Sequence, residues 1–171
     1  TEKGLDYLED YVKQVREVIG YEIPLAIDHL GHIAITDCIR VANRLEPYNI
    51  AWIEDVAPWH YTDHYVKIAN STTVPICTGE DIFLHENFEP LMKAGGVSVI
   101  HPDILTCGGA LELKKIADIG YRTVHVSGTC DYDPQWLDAE LKKNGLRVLG
   151  IGDCPYDNLL PELRASLHEY Y

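Results

Sequence analysis

The sequence has little positive charge and no long apolar run. Only 14 of its 171 residues are lysine or arginine, against 27 aspartates and glutamates, so the formal net charge at pH 7 is −13. A surface of this sign repels the phosphates of nucleic acids, and we expect no nucleic-acid partner. No stretch reaches the roughly 18 apolar residues that a membrane-spanning helix needs, and the first residues lack the apolar core of a signal peptide. We therefore expect no membrane association.

Paired cysteines are also missing. The five cysteines are scattered along the chain, are odd in number and form no Cys-x-x-Cys motif. This pattern is not typical of a disulfide-stapled secreted protein or of a structural zinc site. It indicates reduced thiols, and we predict a cytoplasmic location.

What the sequence does contain is a repeated unit. Four short apolar segments each end in a carboxylate, at positions 28, 54, 80 and 103, which are 26, 26 and 23 residues apart. A strand followed by a helix takes about this length, and parallel strands require such a crossover. The carboxyl ends of parallel strands lie at one edge of a sheet, so we expect the four acids to share that edge.

Apolar residues at helical spacing separate these segments, which predicts an alternating α/β fold with parallel strands. We predict six strands and seven helices, with Thr36 or Asp37 capping the helix of residues 36–47. The predicted strands are residues 23–28, 50–54, 74–78, 97–101 and 146–151, together with residues 121–128, a strand followed by a turn. The predicted helices are residues 4–19, 36–47, 63–70, 84–94, 110–119, 134–144 and 157–171.

Three of the acids are candidates for one metal site. Carboxylates that converge on a point repel each other unless a cation lies between them. Asp28, Glu54 and Glu80 offer oxygen ligands only, which favours Mg²⁺ first and Mn²⁺ second.

The sequence around these acids resembles a known family. Asp28 is followed in order by Trp-Ile-Glu-Asp-Val-Ala-Pro (residues 52–58), Thr-Gly-Glu-Asp (residues 78–81) and His-Pro-Asp-Ile-Leu-Thr-Cys-Gly-Gly (residues 101–109). Together these motifs resemble the barrel domain of the enolase superfamily, and most closely its mandelate racemase and muconate lactonizing enzyme branch. The resemblance implies a partial (β/α)₈ TIM-type barrel of about six βα units.

The resemblance also implies a chemistry. It implies a Mg²⁺-dependent lyase, an acid-sugar dehydratase of the mandelate racemase type, that removes a proton alpha to the carboxylate of a small sugar acid. In that family the first three acids bind the metal, and the fourth, here Asp103, orients a histidine base. His125 is the candidate base, although its place within a strand leaves open that its side chain points away from the site. His29 and Trp59 are candidates for substrate contact, with a histidine at the rim and an exposed loop aromatic as the alternatives.

Neighbouring residues receive structural interpretations. We interpret Asp55 and Asp81 as acids that support the adjacent ligands rather than bind the metal. Trp52 lies within a strand and is assigned to the core. His101 is interpreted as a packed, hydrogen-bonded residue.

The domain organisation leaves alternatives open. We predict a single incomplete barrel domain over residues 1–171, shorter than the ~250 residues typical of a complete barrel. Residues 1–117 are enolase-like and residues 118–171 form βα units of uncertain origin. Residues 112–148 are similar to xylose-isomerase-like sugar phosphate isomerase barrels, which would make the chain a fusion.

The sequence also has no counterpart of the family's Lys-x-Lys acid/base pair or of its capping domain. The alternative functions are therefore a non-catalytic or fused barrel fragment that keeps a metal site, or a sugar isomerase- or epimerase-like barrel. An open barrel has two unpaired edges, so we also expect a homo-oligomer.

Overall fold

The computed structural model describes residues 1–28 and 33–119. In this part of the chain five α-helices and one 3₁₀ helix alternate with four strands. The elements in order are α1 (Glu2–Ile19), β1 (Leu25–Ile27), α2 (Ile35–Leu45), the 3₁₀ helix Glu46–Tyr48, β2 (Ile50–Glu54), α3 (Thr62–Ala69), β3 (Ile76–Thr78), α4 (Leu84–Lys93), β4 (Val99–Ile100) and α5 (Ala110–Asp118). The last two predicted βα units lie outside the described residues. No helix in the two described stretches is long and apolar enough to cross a bilayer.

The four strands form one parallel sheet in the order β1-β2-β3-β4. The helices α2, α3 and α4 supply the crossovers that these parallel connections require. In the register, Glu54 lies opposite Cys77, and Cys77 lies opposite Val99. The described chain is thus an α/β partial barrel, as the sequence predicts.

The core lies between the sheet and its helices. Ile53, Ile76 and Ile100, one from each of three neighbouring strands, have no exposed surface and pack in a single apolar cluster with the helices. Burying an isoleucine side chain contributes roughly 1.5–3 kcal/mol, so this face supplies much of the stability of the fold. The helical members of the cluster include Leu45, Tyr65, Phe88, Leu91, Leu113 and Ile116.

One charged side chain is buried beside this core. Arg16, near the end of α1, is only 3% exposed. Its guanidinium donates hydrogen bonds of 2.8–2.9 Å to four backbone carbonyls, those of Gly20, Ile23, Tyr48 and Asn49. These bonds connect the end of α1 to the segment that enters β2 and offset the desolvation of the guanidinium.

The start of α2 differs from the prediction. The helix begins at Ile35, so Thr36 and Asp37 lie in its first turn and the predicted side-chain cap is wrong. Ala34 has an extended backbone, and its carbonyl accepts hydrogen bonds from the backbone N–H groups of Asp37 and Cys38 at 2.8 and 3.0 Å. The helix therefore begins without a side-chain cap, because alanine has no side-chain oxygen that could accept from the N–H groups of the first turn.

Candidate metal centre

The four predicted acids all follow the carboxyl ends of strands. Asp28 comes directly after β1 and Glu54 is the last residue of β2, while Glu80 and Asp103 follow β3 and β4 by two and three residues. Because the strands are parallel, these positions lie at one edge of the sheet.

Three carboxylates meet closely at this edge. Asp28, Glu54 and Asp55 each offer an oxygen, and these oxygens lie within 4.8 Å of one another. Asp55 is the third carboxylate of this close group, whereas the sequence analysis predicted Glu80 as the third ligand. Glu80 lies nearby: burial raises the pKa of its carboxyl, and the charges of Asp28, Asp81 and Glu54 raise it further.

Asp55 has an unusual local geometry. Its φ of 49° is in the left-handed region, which aspartate tolerates better than most residues. Its Oδ1 accepts a 2.5 Å hydrogen bond from the hydroxyl of Thr78 on the next strand. Burial raises the pKa of Asp55 to about 6; the Thr78 hydrogen bond opposes this change, and the charges of Glu54, Glu80 and Asp28 add to it. The sequence analysis interpreted Asp55 as an acid that supports Glu54, and the structure adds that its carboxylate lies close to both Asp28 and Glu54.

This set of donors fits a hard divalent cation. The close oxygens all belong to carboxylates, and the raised pKa values of Asp55 and Glu80 report both burial and mutual repulsion. A cation placed among them would relieve that repulsion, and oxygen ligands of this kind are those that Mg²⁺ prefers. The residues present therefore suit the metal that the sequence analysis expects.

Glu54 is held from two sides. It is 4% exposed, and its two oxygens accept hydrogen bonds from different side chains. The indole N–H of Trp52 donates to Oε2 at 2.8 Å, and Nδ1 of His101 lies 2.5 Å from Oε1. The sequence assigned Trp52 to the core, yet alternation along a strand places residues 52 and 54 on the same face and could have indicated this contact.

The contact with Glu54 also affects the pKa of His101. Burial alone would lower the pKa of this imidazole, but the hydrogen bond and negative charge of Glu54 outweigh burial and raise it. The structure thus gives a specific partner to a histidine that the sequence analysis interpreted only as packed and hydrogen-bonded.

A glycine permits the close approach of these elements. Gly79 has a φ of 150°, and a Cβ at this position would lie 2.9 Å from the carbonyl carbon of His101 and 3.0 Å from its nitrogen and oxygen. Those atoms belong to the backbone and cannot move aside as a flexible side chain would. A side chain at position 79 would therefore disturb the segment that presents His101.

The two carboxylate oxygens of Asp103 differ in their hydrogen bonding. Its Oδ1 accepts hydrogen bonds from the backbone N–H groups of Leu105 and Thr106, each at 2.8 Å. Its Oδ2 is buried and has no hydrogen-bond partner among the described residues. The histidine expected to pair with it, His125, lies outside the described residues, as does the substrate candidate His29.

Trp59, the other substrate candidate, lies in the loop between β2 and α3. It is partly buried and packs against the core, with its ring edge-on to His60 at a centroid distance of 5.6 Å. The loop that follows Glu54 is therefore anchored to the core through this tryptophan.

Comparison with protein families decides the identity of the domain. Residues 2–125 match the family described as enolase C-terminal domain-like. The chain belongs to this family. The matched residues include all four strand-end acids and end at His125.

Solved structures of mandelate racemase and muconate lactonizing enzyme type share this fold. A mandelate racemase/muconate lactonizing enzyme-like protein from Rubrobacter xylanophilus is 27% identical with a TM-score of 0.75, over 91% of this chain and 41% of that protein. The 3,6-anhydro-D-galactonate cycloisomerase from Zobellia galactanivorans is 28% identical with a TM-score of 0.67, over 72% of this chain and 36% of the cycloisomerase.

A third match includes a metal. The L-talarate dehydratase from a Polaromonas species, solved with Mg and L-glucarate, is 23% identical with a TM-score of 0.63 over 70% of this chain and 32% of the dehydratase. At this identity the likeness shows the fold alone. The enolase-like chain spans less than half the length of each of these three proteins.

Proposed function

We propose that this domain holds the Mg²⁺ site of an acid-sugar dehydratase or racemase that removes a proton alpha to a carboxylate. The observation on which the proposal rests is the convergence of the Asp28, Glu54 and Asp55 oxygens within 4.8 Å at the carboxyl edge of the sheet. The related cycloisomerase of 3,6-anhydro-D-galactonate, at 28% identity, supports this class of substrate.

Asp28 and Glu54 are the proposed metal ligands in every version of the site. Glu80 is the third ligand expected from the family resemblance, whereas Asp55 is the third by distance. When bound, Mg²⁺ would polarise the carboxylate of the substrate and make its alpha proton more acidic.

The other candidates have separate roles in the proposal. Asp103 would use its buried Oδ2 to hold and orient the base, for which His125 is the candidate. His29 and Trp59 would contact the sugar acid. These assignments agree with the position of Asp103 beyond β4 and of Trp59 in the loop after Glu54.

Titration calorimetry with Mg²⁺ tests the metal site. We expect wild-type protein to bind Mg²⁺, and Asp28→Asn and Glu54→Gln each to weaken binding by at least about tenfold, because a charged ligand is replaced by a neutral one. Comparing Asp55→Asn with Glu80→Gln then identifies the third ligand as the position with the larger loss. Absence of Mg²⁺ binding in the wild-type protein would refute the proposal.

Hydrogen exchange at the substrate tests the chemistry. With Mg²⁺ bound, we expect the alpha proton of an acid sugar such as L-glucarate to exchange with solvent in D₂O, and Asp103→Asn to slow this exchange. Mg²⁺ binding without exchange for any acid sugar would instead support the alternative, a metal-binding barrel domain without turnover.

Self-association remains a further part of the proposal. Within the described residues β1 and β4 are the outer strands of the sheet, and an apolar groove of about 310 Å³ between α1 and β1 is lined by Leu8, Tyr11, Val15 and Leu25. We expect size-exclusion chromatography to give a homo-oligomer; a monomer at all concentrations would contradict this part.

A further inference from the structure

The carboxylate of Glu54 is supported on both of its oxygens. Both of its oxygens accept hydrogen bonds from side chains, one from Trp52 and one from His101. At 4% exposure it is also buried, and a buried carboxylate needs such partners because it has lost most of its water.

The two donors are themselves fixed by the sheet. Trp52 precedes Glu54 by two residues on β2, so both side chains lie on one face of the strand. His101 directly follows β4, and its backbone N–H donates a 3.0 Å hydrogen bond to the carbonyl of Thr78, which extends the pairing of β3 and β4. One donor therefore comes from the same strand as Glu54 and the other from two strands away.

The chemistry of the donors fixes the direction of both bonds. An indole N–H can only donate, and an ionised carboxylate can only accept. Nδ1 of His101 must likewise bear the hydrogen in its contact with Oε1, which sets the tautomer of a neutral ring. Two donors on two oxygens define both the position of the carboxylate and the plane in which it lies.

We infer that Trp52 and His101 are positioning residues that hold the Glu54 carboxylate in the orientation in which it binds a divalent cation. The inference rests on the proposed metal site and adds two residues to it. Each hydrogen bond occupies one lone-pair direction of its oxygen, so it is compatible with a cation at the same carboxylate. Partners that orient a metal ligand in this way typically change metal affinity 10–100-fold when removed.

Four variants of the full chain test the inference. Trp52→Phe keeps an aromatic ring but removes the N–H, and His101→Leu removes the imidazole donor. His101→Asn is the conservative variant, because its amide nitrogen occupies nearly the position of Nδ1 and can donate to Glu54. His64→Leu, on α3, is the matched control for loss of a histidine outside the site.

Mg²⁺ affinity is measured by calorimetry at pH 7.5 for each variant that is folded by circular dichroism. We expect Trp52→Phe and His101→Leu to weaken binding at least about tenfold, and His101→Asn and His64→Leu to remain within about threefold of wild type. If the hydrogen bonds only stabilise a buried carboxylate, Trp52→Phe and His101→Leu will lower the unfolding free energy in EDTA but bind Mg²⁺ as wild type does, and the inference is overturned.

A spectroscopic measurement complements the affinities and does not require the His101 variants to fold. In ¹⁵N-labelled wild-type protein, the indole N–H resonance of Trp52, assigned by its loss in Trp52→Phe, should shift as Mg²⁺ is added. A resonance that does not move while calorimetry reports binding would count against the inference. Wild-type protein that binds no Mg²⁺ refutes the proposed function itself, so the two failures are distinguishable.

Discussion

The two faces of the sheet use the same strands for different purposes. The outer face presents Ile53, Ile76 and Ile100, which are fully buried against the helices. The inner face presents Glu54 and Cys77 in one row of the register, with His101 just beyond β4. Apolar burial is non-directional and stabilises the fold, whereas a buried carboxylate destabilises it unless donors or a cation are correctly placed. Stability and metal chemistry are therefore assigned to alternate residues of each strand.

Cys77 is an uncharged residue on the inner face, beside the acids. It is fully buried beside Glu54, and burial, together with the nearby carboxylates, raises the pKa of its thiol. The side chain is therefore neutral at physiological pH. A neutral residue at this position adds no further repulsion to a cluster that already contains several acids.

Shortening a residue of the outer face should have the largest effect on stability. We expect Ile76→Ala to lower the unfolding free energy by about 2–5 kcal/mol, because it removes buried methyl groups and leaves a cavity. Urea denaturation measures this loss. Mg²⁺ affinity of the folded variant should stay within about twofold of wild type; a parallel fall in affinity would show that the two faces are not separable.

On the inner face, the free energy of unfolding should depend on the charge of the side chains rather than on their volume. Because the pKa of Asp55 is raised to about 6 in the folded protein, the folded state binds a proton between about pH 4 and 6 that the unfolded chain releases. Without divalent metal, the carboxyl therefore destabilises the fold progressively as the pH rises through this range, by on the order of 2–3 kcal/mol.

Asp55→Asn isolates this effect, because an amide does not titrate. In EDTA, we expect the unfolding free energy of the variant relative to wild type to increase from pH 4 to pH 7, measured by urea denaturation at each pH. Parallel pH profiles for the two proteins would show that Asp55 is not a strained, buried acid.

Gly79 follows β3 and lies against the backbone of His101, so a substitution there should affect both the stability of the fold and the metal site. We expect Gly79→Ala to lower the unfolding free energy by about 1–3 kcal/mol, since its φ of 150° is unfavourable for alanine and the new Cβ would contact the backbone of His101. Unlike Ile76→Ala, it should also weaken Mg²⁺ binding in calorimetry. Unchanged affinity would mean that the position of His101 does not matter to the site.

A change on neither face should have the smallest effect. Lys114 pairs with Asp118 on the exposed side of α5 at 2.7 Å. Lys114→Ala should change the unfolding free energy by at most about 0.3–0.5 kcal/mol, the usual value for an exposed pair four residues apart on a helix. A larger effect in urea denaturation would indicate an interaction of α5 beyond this pair.

Much of the described fold follows from local sequence patterns. The four strands and the helices between them lie where apolar periodicity and the spacing of the acids predicted them, because each unit is short and its apolar residues repeat regularly. The predicted start of α2 was wrong because Thr36 and Asp37 are typical capping residues. Sequence alone did not show that the extended backbone of Ala34 would begin the helix earlier.

The site was only partly predictable, for a different reason. Strand ends identify which acids share an edge, but not that Asp55 as well as Glu54 lies close to Asp28. That depends on a left-handed φ at Asp55 and on its hydrogen bond with Thr78, both of which arise from tertiary contacts. The support of Glu54 by His101 likewise joins residues 47 positions apart, which no local pattern indicates.

The buried guanidinium of Arg16 has a consequence for how the domain opens. If α1 alone were to separate from the sheet, the guanidinium would lose its hydrogen bonds to the carbonyls of Tyr48 and Asn49, and each bond with a charged donor contributes about 1.5–3 kcal/mol. The first helix is therefore expected to behave as one cooperative unit with the strand beside it rather than to fray independently. A single side chain thus couples the opening of α1 to that of the segment that enters β2.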